Sequence, residues 1–195
     1  MADASIRTQL RRQRRSLSAE QHFILSEKIT AILSIQPFFL RAKRLGIYLA
    51  NDGEVDPSTI VNICHKSSKQ CFLPVIHPLK TNRLHFARYR QNSQLIANRF
   101  GILEPGIGST KIVAPWSLDL ILMPLVGFDR QGNRLGMGGG FYDRTLAFTA
   151  RGQRPAPRLI GLAHSFQELE SISPQIWDIP VDHIITEQEI INRQT

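Results

Sequence analysis

Gly136, Gly138, Gly139 and Gly140 put four glycines into five positions of the stretch RLGMGGGFYDR, which runs from Arg134 to Arg144. A chain that gives up side chains there bares its backbone N–H groups. A helix starting just beyond adds its positive end to them, and the two together suit phosphate oxygens. Arg134 and Arg144 bring positive charge to either side. Asp143 offers a carboxylate oxygen of the kind that magnesium takes alongside shared phosphate oxygens. The stretch lacks the lysine of a P-loop, and Phe141 stands where a dinucleotide fingerprint has its third glycine. The alternative is a tight turn that lets a helix pack closely on a sheet. The arginines and Asp143 favour the phosphate reading.

Such a loop needs a strand before it and a helix after it, and the sequence supplies both. LDLILMPLVGF (118–128) is the most apolar run and reads as a central strand, although Pro124 argues against a regular ladder throughout. FYDRTLAFTA has a helical pattern. Upstream, residues 5–16 read as a short basic helix. Ser18 and Gln21 form a capping-box pattern before a helix whose Leu25, Ile29, Ile32 and Leu33 face the core and which Pro37 ends. RLGIYLA (44–50) is a buried strand, NDGE (51–54) a turn, and Asp56 and Pro57 open a helix to about Ser67. QCFLPVI (70–76), LHFARYR (84–90), RLIGLAH (158–164) and DHIIT (182–186) read as further strands. Ser165 and Glu168 suggest a capped short helix, while FGILEPGIG (100–108) and GQRPAPR (152–158) read as loops. Strands alternating with helices predict one three-layer α/β/α domain over 1–195, Rossmann-like, around a mainly parallel, mixed sheet. Ligands of such sheets gather beyond the strand C-termini, where the glycine stretch lies.

Composition sets the outer bounds. The chain has 195 residues, 42% of them hydrophobic, which is enough for a real core. No apolar run reaches bilayer length, and the basic start lacks the apolar centre of a signal peptide. A cytoplasmic location is expected. Cys64 and Cys71 are then expected as free thiols, and the spacing of His65, His77 and His85 matches no zinc pattern. The net charge of +8 calls for an anionic partner, either nucleic acid or a phosphorylated small molecule. Arg7, Arg11, Arg12, Arg14 and Arg15 concentrate that charge near the start.

The whole phrase DLILMPLVGFDRQGNRLGMGGGFYDRTL (119–146) resembles the signature of the 5-formyltetrahydrofolate cyclo-ligase, or methenyltetrahydrofolate synthetase, family. Weaker marks extend the resemblance over nearly the whole chain. Arg7 and Arg11, four residues apart on one helix face, look like the family's basic pair for nucleotide phosphates. Tyr48 and Glu54 are similar to its segment at the folate. Phe100, Glu104 and Pro105 match an aromatic and an E/Q-P pair. WDIPVD (177–182) resembles the closing motif, with Asp178 as a second magnesium-associated carboxylate. The sequence departs from the pattern at Met137 and Gly139, where some relatives carry basic residues, and at Trp177, which replaces a histidine.

The resemblance implies that ATP and 5-formyltetrahydrofolate give ADP, phosphate and 5,10-methenyltetrahydrofolate through a phosphorylated formyl oxygen that N10 displaces. On that reading Arg134 and Asp143 are catalytic. ATP lies on Arg7, Arg11, Arg134 and the loop from Gly136 and Met137 through Gly138, Gly139 and Gly140 to Phe141 and Tyr142. Tyr48, Glu54 and Phe100 meet the folate, and Asp143 and Asp178 hold Mg2+. Arg12, Arg14 and Arg15 are expected as a solvated face, and a monomer is the default. Two rivals stand beside this reading. A nucleic-acid-binding module is supported by charge but lacks any RNP-like or zinc-finger motif. A sugar-phosphate isomerase on a similar scaffold would need no ATP.

Overall fold

Ile6 and Leu10 lie one turn apart and give the first helix, α1 (Ala2–Arg15), its apolar stripe. The structure is a computed structural model that describes residues 2–106, 110–150, 152 and 155–193. Ser18 caps α2 (Ala19–Ser34) reciprocally: its hydroxyl accepts from the Gln21 amide, and the Gln21 side chain accepts from the Ser18 amide. Ile29 and Leu33 turn into the core, with Leu25 and Ile32 half-buried. Pro37 does more than end a helix. Its fixed φ opens another, α3 (Pro37–Arg41).

The run at 44–50 pairs as a ladder only over β1 (Arg44–Gly46), although the Ile47 amide still reaches the Phe72 carbonyl. Asp52 and Gly53 make the predicted turn with φ of 53° and 73°. The next helix, α4 (Ser58–Lys66), begins a residue later than expected: Pro57 takes the cap position, and Asp56 accepts from the Ser58 amide. β2 (Gln70–Ile76) and β3 (Leu84–Tyr89) follow as expected. The 100–108 segment is not all loop. Its β5 (Leu103–Pro105) pairs antiparallel with β4 (Leu95–Ala97), while residues 107 and 108 lie outside the described residues. After β6 (Ile112–Val113), the apolar run at 118–128 divides at its proline. It gives β7 (Leu120–Pro124) and then β8 (Gly127–Phe128), which pairs with β9 (Arg134–Leu135) as a separate hairpin. Next come α5 (Phe141–Ala150), β10 (Arg158–Leu162), β11 (His183–Ile185) and β12 (Ile190–Asn192). In the loop expected at 152–158, residues 153 and 154 fall outside the described residues. In the tight turn at Ser165–Gln167, Gln167 rather than Glu168 closes the cap, accepting from the His164 amide. Glu168 pairs instead with Arg130.

Among the described residues, eight strands form one sheet in the order β12-β11-β10-β7-β1-β2-β3-β6. The five central strands from β11 to β2 run parallel, and antiparallel strands close both edges. Alternation along the strands splits the core in two. Leu45, Leu73, Leu120, Leu122 and Ile160 pack towards Ile29, Leu33 and Ile60 of α2 and α4. Phe72, Ile121, Met123, Leu159 and Ile184 pack on the other side with Leu146 of α5. This is the expected three-layer α/β arrangement, and β7, buried on both faces, reads as a continuous apolar run for that reason. A third cluster of Leu10, Val126 and Leu135, with Ile6 and Ile172, seats α1 over the strand C-termini. Cys64 and Cys71 are free, buried thiols. Among the described residues no three His, Cys, Asp or Glu side chains gather to hold a metal, and no helix is long and apolar enough to cross a membrane.

Candidate active site

Chain direction decides where the site opens. From β1 the chain proceeds to β2 on one side, and from β7 it proceeds to β10 on the other. The loops leaving β1 and β7 therefore part, and a crevice opens at this switch point. A cavity of about 1530 Å³ fills it. That exceeds the roughly 300–1,000 Å³ of an ordinary single-ligand pocket. Arg7, Arg11, Tyr48, Glu54, Phe100, Arg134, the whole run from Gly136 to Asp143, and Asp178 all line it. The structure thus brings every predicted site residue to one cavity.

One end of the cavity concentrates unspent donors. Between the Leu135 carbonyl, which accepts from Val126, and the Gly140 carbonyl, which accepts from Arg144, the loop amides are unspent. No amide from Gly136 to Gly140 donates to another described residue. The carbonyls, by contrast, are occupied. Gly136 O accepts from Arg7 Nε at 3.1 Å, and Gly139 O accepts from Asn82 Nδ2 at 3.0 Å and Arg144 Nη1 at 2.8 Å. Gly138 and Gly140 sit at φ of 89° and 63°, which a side chain would strain. The α5 N-terminus adds its own free amides. Arg144 thus holds a loop carbonyl rather than standing clear for phosphate.

Arg134 ties three segments together. Its side chain is only 7% exposed; Nε donates to Ile179 O at 3.1 Å and Nη2 to Asp143 Oδ1 at 2.6 Å. The same carboxylate oxygen accepts from the Ile179 amide at 3.1 Å. Asp143 Oδ2 accepts nothing from a described residue. Asp178 caps a turn, its Oδ2 accepting from the Gln175 amide, which leaves its other oxygen. A magnesium ion asks for one or two carboxylate oxygens and draws the rest of its shell from phosphate and water. Asp143 and Asp178 fit that donor set.

A second carboxylate, Asp52, gathers guanidinium groups expected on phosphates or in solvent. Arg11 Nε lies 2.7 Å from Asp52 Oδ2, Arg14 Nη2 2.8 Å from the same atom, and Arg15 Nε 3.5 Å from Oδ1. Arg14 is no solvated residue. It is 1% exposed, and it also donates to the Asp52 and Leu125 carbonyls. Burial works against the Asp52 charge, but the bonds and charges of Arg11 and Arg14 outweigh it and hold the carboxyl below its usual value.

Next to this hub, burial pushes the Glu54 carboxyl up to about 7, although Arg14, 4.0 Å away, and the Asn51 amide oppose the shift. The folded protein therefore keeps a proton on Glu54 that the unfolded chain loses near 4.5. Stability from this group is full below that pH and falls as pH rises to about 7. Glu54→Gln is expected to match the parent near pH 4.5 and to exceed it by about 3 kcal/mol at pH 8. Urea denaturation at the two pH values checks this, and an equal change at both would refute it.

The remaining wall is aromatic and aliphatic. Tyr48 is buried and donates its hydroxyl to Val55 O at 2.7 Å, so only the flank of its ring meets the cavity. Tyr142 is half-buried at the surface and packs on the core. Burial first, and Glu54 next, push both hydroxyls up. Phe100 is 55% exposed and meets Phe141 edge-on at 5.8 Å. Exposed Met137, Ile176 and Trp177 also line the cavity. Glu104 is buried, its Oε2 accepting from the Ile76 amide and Asn98 Nδ2.

Asn82 and Asp52 line the cavity and Arg14 braces Asp52, with no sequence motif to mark any of the three. Asn82 reaches Gly139 from 57 positions away, and no local pattern announces that. Asp129 of the long motif proves architectural. It is buried, accepts from the Gln131, Asn133 and Ile172 amides and from Asn133 Nδ2, and so pins the hairpin that carries Arg134.

A family model described as 5-formyltetrahydrofolate cyclo-ligase family matches residues 1–187. The chain is 34% identical to the 5-formyltetrahydrofolate cyclo-ligase of Escherichia coli K12, covering 93% of this chain and 98% of that one. It is 36% identical to the enzyme of the same name from Haemophilus influenzae, covering 92% and 95%. The NMR structure of Aquifex aeolicus 5,10-methenyltetrahydrofolate synthetase superposes with a TM-score of 0.84 at 33% identity, covering 100% of this chain and 94% of that one. This chain belongs to the 5-formyltetrahydrofolate cyclo-ligase family.

Proposed function

We propose that the protein converts 5-formyltetrahydrofolate to 5,10-methenyltetrahydrofolate at the expense of ATP, which becomes ADP and phosphate. The observation that carries this is one cavity, larger than a single ligand requires, with an amide-and-guanidinium end and an aromatic, carboxylate-lined end. The formyl group is amide-like, so its carbon is a poor electrophile and its oxygen a poor leaving group. Transfer of the γ-phosphoryl group to that oxygen corrects both. N10 then bonds to the formyl carbon, the C–O bond breaks with its electrons going to phosphate, and N10 gives up its proton.

The loop from Gly136 to Gly140 offers its amides to the phosphates, while Arg134 and Arg7 supply charge that is already in place. Such catalysis is alignment and electrostatics more than covalent chemistry. Arg11, drawn to Asp52 in this structure, stands at the cavity wall where it exchanges that carboxylate for a phosphate. Asp143 and Asp178 would hold Mg2+, which when bound neutralises phosphate charge. Glu54, titrating near neutrality, takes the N10 proton. Phe100 and the flank of Tyr48 border the folate rings. On this reading the chain works as one unit, with α1 completing the nucleotide end.

The near-ultraviolet absorbance of the methenyl product tests the reading, with turnover expected only when Mg·ATP is present. Gly136→Ala sharpens it. An added methyl there meets nothing closer than Arg134 Nη1 at 3.8 Å, so the free protein tolerates it. Unchanged melting with a KM for Mg·ATP raised about tenfold, roughly 1.4 kcal/mol of binding, is expected. ATP-independent turnover, or an unaltered KM, would exclude this use of the loop.

A further inference from the structure

Charge that the cavity does not use collects at the opposite end of the sheet. A line of backbone bonds crosses the N-terminal ends of the parallel strands, from β6 to the strand that follows β11. The Arg88 amide donates to Lys111 O, Gln70 to Lys43 O, Asp119 to Arg44 O, Arg158 to Asp119 O, Asp182 to Leu159 O, and Arg193 to Asp182 O. Neighbouring strands lie about 4.8 Å apart, so Lys111, Arg88, Lys43, Arg44, Arg158 and Arg193 are strung along roughly 30 Å. Two carboxylates share that edge, and each has an oxygen committed to backbone. Asp119 Oδ2 accepts from the Lys43 and Arg44 amides, and Asp182 Oδ2 accepts from the Leu159 amide.

None of the six cations forms an ion pair with a described residue. Arg44 and Arg88 both stand against the Phe72 ring, at 5.3 and 5.4 Å from its centre. Burial, Arg90 and Arg44 hold the Arg88 guanidinium below its ordinary value, a crowding that a bound anion would relieve. A cleft of about 960 Å³ opens on the same edge beside Arg41, Arg158 and Arg193. The N-terminal arginine run, the obvious basic cluster in sequence, is by contrast largely spent on Asp52.

We propose that this edge binds the sugar-phosphate backbone of single-stranded nucleic acid without reading its sequence. A row of cations fits a repeating anion, and four of the six are arginines, whose forked donors match phosphate. The five residues of β7 put about 15 Å between this edge and the cavity, so the two functions do not compete for space.

Fluorescence anisotropy of a labelled single-stranded RNA of about 20 nucleotides tests it, with affinity expected to fall more than tenfold between about 50 and 200 mM salt. The double variant Arg158→Glu/Arg193→Glu should weaken binding at least tenfold and lower the log–log salt slope by more than one. Lys28→Glu, which reverses an exposed charge on α2, and Arg134→Ala, in the cavity, should leave binding unchanged. Thermal melting confirms that each variant is folded. The proposal is overturned by absence of RNA binding at low salt, by equal loss in Lys28→Glu, or by loss in Arg134→Ala. Affinity for anionic phospholipid vesicles without affinity for RNA overturns it too.

Discussion

Arg134→Ala is expected to lower kcat for ATP-dependent methenyl formation by about a thousandfold, in line with removal of a preorganised cation from a phosphoryl-transfer site. The size follows from how firmly the guanidinium is fixed. It is nearly inaccessible to solvent, and its two bonds reach Ile179 O and Asp143 Oδ1 from one planar fork. No reorganisation is then needed when charge develops on the transferring group. Lysine keeps the charge but not the fork, so Arg134→Lys should recover only a small part of the rate. Asp143→Asn retains an oxygen for the Ile179 amide while losing the negative charge. It leaves the Arg134 guanidinium without its counter-charge, so it should melt below the parent temperature, remain folded and be severely slowed. Turnover of Arg134→Ala within threefold of the parent, measured by absorbance of the product, would remove Arg134 from the chemistry.

The largest effect on stability should come from Arg14→Ala. Arg14 is a buried cation joining α1 to the 51–54 turn and to the bend after β7, through the Asp52 carboxylate and the Asp52 and Leu125 carbonyls. Truncating a fully buried side chain of this size costs about 2–5 kcal/mol. For a chain of this length that lowers the melting temperature by roughly 10 °C. Leu125 O keeps a second donor, Gln167 Nε2 at 2.6 Å, and Asp52 keeps Arg11 and Arg15. The loss therefore comes mainly from the packing and charge of Arg14 itself. Arg14→Lys should restore little, since one ammonium cannot span three acceptors. A melting temperature within two degrees of the parent for Arg14→Ala, about 0.5–1 kcal/mol, would show that α1 is held by its apolar stripe alone.

Much of the fold was legible because periodicity and turn chemistry agreed. The Ser18–Gln21 cap, the strands at 70–76 and 84–89 and the helix after the glycines all stand where those signals put them. The misses share a cause. The 118–128 run looked continuous because both halves are buried, and only the bend after Pro124 separates a central strand from a hairpin. Strand β5 hid among glycines and prolines because its partner, not its composition, makes it a strand. At the cavity, the contiguous loop could be read directly. Arg14 could not: five arginines within nine positions look alike, and only the tertiary placement of Asp52 decides which of them is buried.

The crossing at β1 and β7 also bears on how the protein is born. Those neighbours come from positions some 75 residues apart, and the cavity draws on Arg7 at one extreme and Ile179 at the other. A chain emerging from the ribosome amino end first presents its arginine-rich helix long before the carbonyl that orients Arg134 has been synthesised. No early half of the polypeptide holds all the groups of the cavity, so the site is complete only once the strands from β10 onward have been made.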